Sequence, residues 1–333
     1  MKKVLFLVSL LSCVIFSAAF LPCTAAHAQK AIEWRALHSF TADFLSVVNL
    51  TVPLFQKINE RTAGKLKISW VGSEAVPAFQ QLKPLREGLF DLLYTHPAFH
   101  AGDMALGQGM DLVTATAKER REAGMLKIVD EAYRKRMNAS YLGMGVYGTG
   151  YHLVLKKKIE KADLSGLKIR TNPFYDPLVK ALGGAPVAIP SGEIYTALEK
   201  GVVDGSCFPV AGILVLKLNE VVKYMIRPAF GDGIQCILAN LDSWNRLPKD
   251  LQELVMKCVI EEEEEGRARM IKAYEKEEKE LLKLGMEIAT LPSQEAQKFI
   301  NTFYERSWAE LVVQRDPEFG PKLKEAADRI RKK

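Results

Sequence analysis

The chain is poor in the residues that usually announce chemistry. Of 333 residues, five are cysteine and five histidine. Beyond the first 28 residues there remain Cys207, Cys236 and Cys258, and His38, His96, His100 and His152. No C-x-x-C pair or His/Cys ligand spacing occurs, so neither a metal nor a cofactor is expected. Three thiols allow one disulfide with one left over, but burial as small hydrophobes is the favoured reading. No G-x-S-x-G, H-E-x-x-H, P-loop or paired Ser/His/Asp spacing is visible, and nothing here supports an enzyme. Past the N-terminus no stretch has the ~20 apolar residues that a spanning helix needs. Charge is also short on asymmetry. The formal net charge is +6, and removing Lys2 and Lys3 with the first 28 residues leaves +4. With no basic block and no aromatic-basic interleaving, nucleic acid is not an expected partner.

What is present begins with an export pattern. Met1-Lys2-Lys3 precedes an apolar run from Val4 to about Leu21, followed by Ala26-His27-Ala28. These are the positive region, apolar region and A-x-A site of a secretory signal, so residues 1–28 are expected to be removed near Ala28/Gln29. Leu10-Leu11-Ser12-Cys13 would pass as a lipidation box, but the apolar run continues past Cys13 and argues against it. The remaining chain exceeds one typical core, which favours two lobes.

The segment from Gly166 to Pro209 organises the rest and reads as strand, helix, strand, helix, strand. In Leu167-Lys168-Ile169-Arg170 apolar and polar residues alternate, and Arg170 stands where the chain turns. Asn172-Pro173 is a helix-start pair, and Ser191 is a second cap candidate. Such a unit lines strand ends and helix N-termini along one sheet edge, where ligands bind in open α/β sheets. A guanidinium at that edge fits a carboxylate bidentately, although a structural salt bridge would also account for it.

Gly166-Leu-Lys-Ile-Arg170, Ala185-Pro-Val-Ala-Ile-Pro190 and Glu193-Ile-Tyr-Thr-Ala-Leu-Glu-Lys-Gly-Val-Val-Asp-Gly205 resemble the core signature of TRAP-transporter solute-binding proteins, the DctP-type receptors. The similarity runs over nearly all of the chain after the signal. It implies an α/β, two-lobed periplasmic-binding-protein fold with a hinge and a long C-terminal helix bracing both lobes. It implies no enzyme but a periplasmic receptor that captures an organic acid in the inter-lobe cleft. Its partners would be that carboxylate and the membrane permease subunits, which drive uptake with an ion gradient. By resemblance, the arginine at Arg170 grips the substrate carboxylate. Expected boundaries are lobe I over 29–148 plus about 236–275, and lobe II over 149–235 plus about 276–330. The alternatives are an exported α/β enzyme acting on a small organic acid, and an ABC-type or sensor receptor.

The first third repeats the β-α-β-α-β order. Ala31 to Leu37 is a strand ending at His38, Leu66 to Trp70 a second, and Leu89 to Tyr94 a third, ending at His96 and Phe99. Two such units facing each other would form a cleft. His38, His96 and Phe99 are therefore candidate ligand contacts. Gly143-Met-Gly-Val-Tyr-Gly148 matches G-x-G-x-x-G, but the chain then runs into the strand-like Tyr151 to Leu155 and not into a helix. The glycines instead mark a crossing between lobes, with Tyr151 just beyond it as a further candidate contact.

Three departures from the family pattern bear on the ligand. A second acid-binding arginine of some members falls about where Gly150 stands. Phe208 takes the place of an asparagine in a D-G-x-x-N-P run, and Ser191 that of an aromatic. An aromatic or branched apolar monocarboxylate is the expectation, with Phe99 and Phe208 as ring surface and Arg170, Asn172 and Ser191 on the polar side. Beyond Ala211 a helix is expected to about Lys223, then strands over 224–230 and 234–240, with the second crossing near 231–236. Glu261 to Glu265 reads as the solvated face of a long helix reaching about Leu284.

Overall fold

The computed structural model describes residues 31–332. The export signal expected over residues 1–28 lies outside them. Two mixed sheets carry the architecture. The first contains β1 (Ile32–His38), β2 (Leu66–Val71), β3 (Leu92–Thr95), β4 (Ala139–Val146) and β10 (Ile234–Asn240), in the order β2-β1-β3-β10-β4. Its β1 pairs in parallel with β2 and β3, whereas β10 is antiparallel to β3 and β4. The second contains β5 (Tyr151–Leu155), β6 (Lys168–Thr171), β7 (Ala185–Ala188), β8 (Gly205–Pro209), β9 (Tyr224–Arg227) and β11 (Glu287–Thr290), in the order β11-β9-β5-β8-β6-β7.

Local pattern explains most of these elements. In β2, Leu66 and Ile68 are buried while Lys67 and Ser69 face out, the period-two alternation of a strand with one wet face. Helix α1 (Val52–Arg61) buries Leu54, Phe55 and Ile58 at helical spacing, with Pro53 in its first turn. The short α2 (Leu82–Arg86) returns the chain to β3, and α3 (Ala117–Glu122) and α4 (Met125–Met137) lead into β4. Thr116 and Glu119 form a reciprocal capping box at the start of α3. In the second sheet, α5 (Asp176–Ala181) follows β6 and α6 (Ile194–Glu199) follows β7.

The chain passes directly between the sheets over 147–150 and over 228–233, because β10 returns to the first sheet after β5 to β9, and it passes a third time through the long helix that leads from β10 to β11. The two direct crossings touch. Gly150 has φ +69°, and a side-chain carbon there would lie within about 3 Å of the Gly231 and Phe230 carbonyl oxygens. Left-handed backbone and backbone oxygens this near make the position strained and tight for any side chain. After α7 (Leu241–Arg246), the 35-residue α8 (Lys249–Lys283) runs along both lobes. Helix α9 (Ser293–Ser307) packs on α5, whereas α10 (Gly320–Arg331) packs on α3 and α4.

Two expectations need correction. The helix expected from Ala211 to Lys223 is a series of turns with one 3-10 turn at Leu218–Glu220. Gly212 at φ +117° and Lys217 at φ +54° adopt left-handed backbone that no α-helix can include. The acidic run is a solvated face only in part: Glu264 and Glu265 are exposed and Glu261 half-buried. Glu262 and Glu263 are buried against the first lobe, where Glu263 takes both Arg121 and the Met144 N–H, and Glu262 takes Lys57 and Arg269. Cys207, Cys236 and Cys258 are all buried free thiols, as their lack of spacing suggested.

Candidate functional site

Arg170 ends up at the carboxyl end of β6, inside the molecule and only 3% exposed. Its Nε donates to the Ile189 carbonyl at 2.8 Å, which fixes the plane of the guanidinium. The two terminal nitrogens make only long contacts of 3.4 Å, Nη1 to the Cys207 carbonyl and Nη2 to the Ser191 hydroxyl. The Phe208 ring lies 5.8 Å from its central carbon. No carboxylate among the described residues pairs with it, and burial pulls its pKa below the usual arginine value. Arg120 gives the contrast. It is equally buried, but three backbone carbonyls and Asp232 satisfy it. A desolvated guanidinium whose outer edge is barely engaged is prepared for an anion.

The walls are aromatic. Phe40 and Phe44 stack nearly parallel, 4.7 Å apart and 12° from coplanar, in the segment after β1. Phe99, at the end of β3, lies 5.6 Å from Phe40 and 5.0 Å from Phe79. From the second lobe, Phe208 comes close to this wall at Gly212. A side-chain carbon at Gly212 would sit 3.1 Å from the Phe208 ring and 3.4 Å from Phe44. Glycine therefore lets the two lobes approach there.

The other sequence candidates divide by how their polar atoms are used. His96 Nδ1 accepts the Ala98 N–H, so the proton sits on Nε2, which faces Asp111 at 3.0 Å and the Tyr151 hydroxyl at 2.8 Å. Tyr151 in turn donates to Asp111 at 2.7 Å, and Asp111 accepts the Gly233 N–H. The polar atoms of His96 and Tyr151 are thus engaged within the protein, and only their ring surfaces are free to line a cavity. Asn172 accepts the Phe174 N–H and shapes the turn before α5. Ser191 is exposed beside Arg170. His38 is 1% exposed and rests on Trp70, 4.7 Å between ring centres. Neither of its nitrogens has a hydrogen bond of good geometry, and burial lowers its pKa against opposing pulls from Glu74 and the Phe40 backbone.

Reading the sequence missed Phe40, Phe44, Tyr147, Tyr175 and Gln235. The available signal was Gln235, a lone amide in the otherwise apolar run Ile234-Gln-Cys-Ile-Leu-Ala239. Tyr175 lies close enough to Arg170 and to Tyr147 for all three to interact electrostatically. Gln235 follows the second crossing directly, at the cleft end of β10. Among the described residues no cluster of three or more His, Cys, Asp or Glu could hold a metal, and no helix is long and apolar enough to cross a membrane. A separate cavity of about 150 Å³ lies behind the second crossing, lined by Leu112, Phe230, Ile300, Phe303 and Arg331 among others. Its one charged lining residue, Arg331, is already bonded to Asn301 and stacked on Tyr304.

Comparison with known proteins agrees with this architecture. The family model described as bacterial extracellular solute-binding protein, family 7 (DctP) matches residues 45–312. A monocarboxylate 2-oxoacid-binding periplasmic protein of Nostoc sp. is 26% identical over 243 residues, 69% of this chain and 66% of that protein. The 2,3-diketo-L-gulonate-binding periplasmic protein YiaO of Escherichia coli is 26% identical over 215 residues, 61% and 65% of the two chains. These alignments span just under two thirds of each relative's length. A TRAP periplasmic solute binding protein from Desulfovibrio salexigens with bound orotic acid superposes with TM-score 0.78 at 23% identity, covering 90% of this chain and 99% of the other. An apo open structure from Marinobacter aquaeolei superposes with TM-score 0.79 at 17% identity, covering 89% and 99%. At these identities the superpositions establish the two-lobed fold. With most of its length matched by the family model, the chain belongs to family 7 of the bacterial extracellular solute-binding proteins, the DctP family.

Proposed function

We propose that this protein is the periplasmic receptor of a TRAP transporter. It captures an organic acid between its lobes and hands it to membrane permease subunits for ion-driven uptake. The observation that carries the proposal is Arg170, a buried guanidinium with no acidic partner among the described residues, its outer edge held by 3.4 Å contacts alone. The solute carboxylate supplies the missing negative charge. Glycine at position 150, which supplies no second cation, and the Phe40–Phe44–Phe99 wall favour a monocarboxylate with an apolar body over a multiply charged acid. The relatives named for monocarboxylate 2-oxoacids and for diketogulonate, and the neighbour holding orotic acid, are all receptors of carboxylates. The lobes follow the two sheets, with the chain to 148 plus about 236–275 as one and 149–235 plus about 276–307 as the other; the expected extension of the second lobe to 330 does not fit α10, which packs back on α3 and α4. Closure is a hinge motion at the two crossings between preformed states.

The test is Arg170→Met. Losing one member of a desolvated ion pair costs about 2–5 kcal/mol, so titration calorimetry with a bound carboxylate should show affinity falling by roughly two to three decades. Folding stability should hold or rise, because no protein carboxylate loses its partner. Undiminished affinity would remove Arg170 as the anchor. Intact affinity together with a large loss of stability would make it a structural residue.

A further inference from the structure

Gln235 is completely buried, yet its Oε1 has no hydrogen-bond partner. Its Nε2 donates to the Ser46 hydroxyl and to the Tyr147 hydroxyl, each at 2.9 Å. With Nε2 donating to both oxygens, each hydroxyl keeps its own proton to give, so the cluster offers one free acceptor, Gln235 Oε1, and a hydroxyl donor beside it. An unpaired buried amide oxygen is costly and is seldom left so.

Its location is the junction of the two crossings with the first sheet, where Gln235 pairs with Gly145 and the Tyr147 N–H bonds the Gly233 carbonyl. Gln235 is the second residue of β10, directly after the crossing over 228–233. Ser46 comes two residues after Phe44, and Tyr147 opens the other crossing. Tyr147 is within electrostatic reach of Tyr175, which is within reach of Arg170.

We propose that the Gln235–Ser46–Tyr147 cluster is a second recognition point that takes a hydroxyl group of the solute, making the preferred ligand a hydroxy monocarboxylate with an apolar body. A hydroxyl donates to Gln235 Oε1 and accepts a proton from the Ser46 or Tyr147 hydroxyl in the same place. A keto oxygen can only accept and leaves Oε1 unpaired, and an unsubstituted carbon satisfies neither group. A site built around a hydroxyl rejects the analogue lacking it far more strongly than an apolar pocket rejects an extra methylene. This inference rests on the carboxylate-receptor reading above and refines it.

The experiment uses the mature protein and skeleton-matched acids. The triads are 3-phenyllactate, phenylpyruvate and 3-phenylpropionate, and 2-hydroxy-4-methylpentanoate, 4-methyl-2-oxopentanoate and 4-methylpentanoate. The pair 4-hydroxyphenylacetate and phenylacetate covers a distal hydroxyl. Dissociation constants are measured by calorimetry for wild type, Gln235→Leu and Arg170→Met. In at least one set the hydroxy acid should bind tenfold or more tighter than its oxo and unsubstituted counterparts. In Gln235→Leu that advantage should vanish, while the unsubstituted acid stays within about threefold. An oxo or unsubstituted acid that equals the hydroxy acid overturns the inference, as does an advantage that survives Gln235→Leu or a panel in which nothing binds. If the oxo acid binds best and Arg170→Met still abolishes its binding, the receptor reading stands and only the hydroxyl subsite falls.

Discussion

His100 shows how burial at a single residue becomes a pH dependence. It is inside the first lobe, with Nε2 2.6 Å from the Tyr133 hydroxyl. Burial, and after it the neighbouring His96, lower its pKa from 6.5 to about 3. The unfolded chain therefore binds a proton near pH 6.5 that the folded chain refuses until near pH 3. The stabilising contribution is complete above pH 6.5 and falls as the medium becomes acidic. Between pH 6.5 and 5 the loss from this group amounts to about 2 kcal/mol. Urea unfolding of wild type and His100→Gln at pH 7 and pH 5 isolates it. Wild type should lose about 2 kcal/mol more than the variant over that interval, and parallel losses would refute the assignment. At this scale the sequence was informative about Arg170, because strand alternation and the following turn set it at a sheet edge. It was silent on Phe44 and marked Gln235 only as a lone amide in an apolar run. Their importance comes from what lies opposite them in space, which a one-dimensional pattern does not encode.

At the scale of elements, α8 couples the lobes through side chains whose partners are distant in sequence. Its first half meets the first lobe at Glu263, and its second half meets the second lobe at Glu277. Glu277 accepts the Gly212 and Leu214 N–H groups, each at 3.0 Å, and so holds the turn on which Phe44 and Phe208 converge. Burial raises its pKa, while these backbone bonds oppose the rise. Glu277→Leu leaves two backbone donors buried without an acceptor, at a cost of about 1–3 kcal/mol. Hydrogen exchange should quicken over 211–217 well before the core strands, and solute affinity should fall by about tenfold, the equivalent of 1.4 kcal/mol. Unchanged protection over that turn would mean that Glu277 does not hold it. The end of α8 was legible to within a residue, but a run of five glutamates looks the same whether it faces water or basic side chains. The misread segment after Ala211 has the same origin. Its apolar residues suit a helix, and only the backbone angles at Gly212 and Lys217 exclude one.

For the whole molecule, the question is what stays fixed while the lobes move. Asp111 joins His96 from the first lobe, Tyr151 at the start of the second sheet, and the Gly233 N–H of the second crossing. Beside it, Arg120 and Asp232 form a buried ion pair between the first lobe and the same crossing. These contacts sit where the crossings touch, so a rotation of the lobes about that region displaces them least. Under the hinge motion proposed above, they would act as a pivot common to open and closed forms. A group contributing equally to both states changes stability without shifting their ratio. Tyr151→Phe removes the hydroxyl's hydrogen bond to Asp111 and its contact with His96 Nε2, and should lower unfolding free energy by about 1.5–3 kcal/mol. Affinity for the solute should stay within about threefold, because both binding-competent and open forms lose the same bond. An affinity change of tenfold or more at nearly unchanged stability would show that the Tyr151–Asp111 contact belongs to one state alone. The network would then work as a latch that closure makes or breaks.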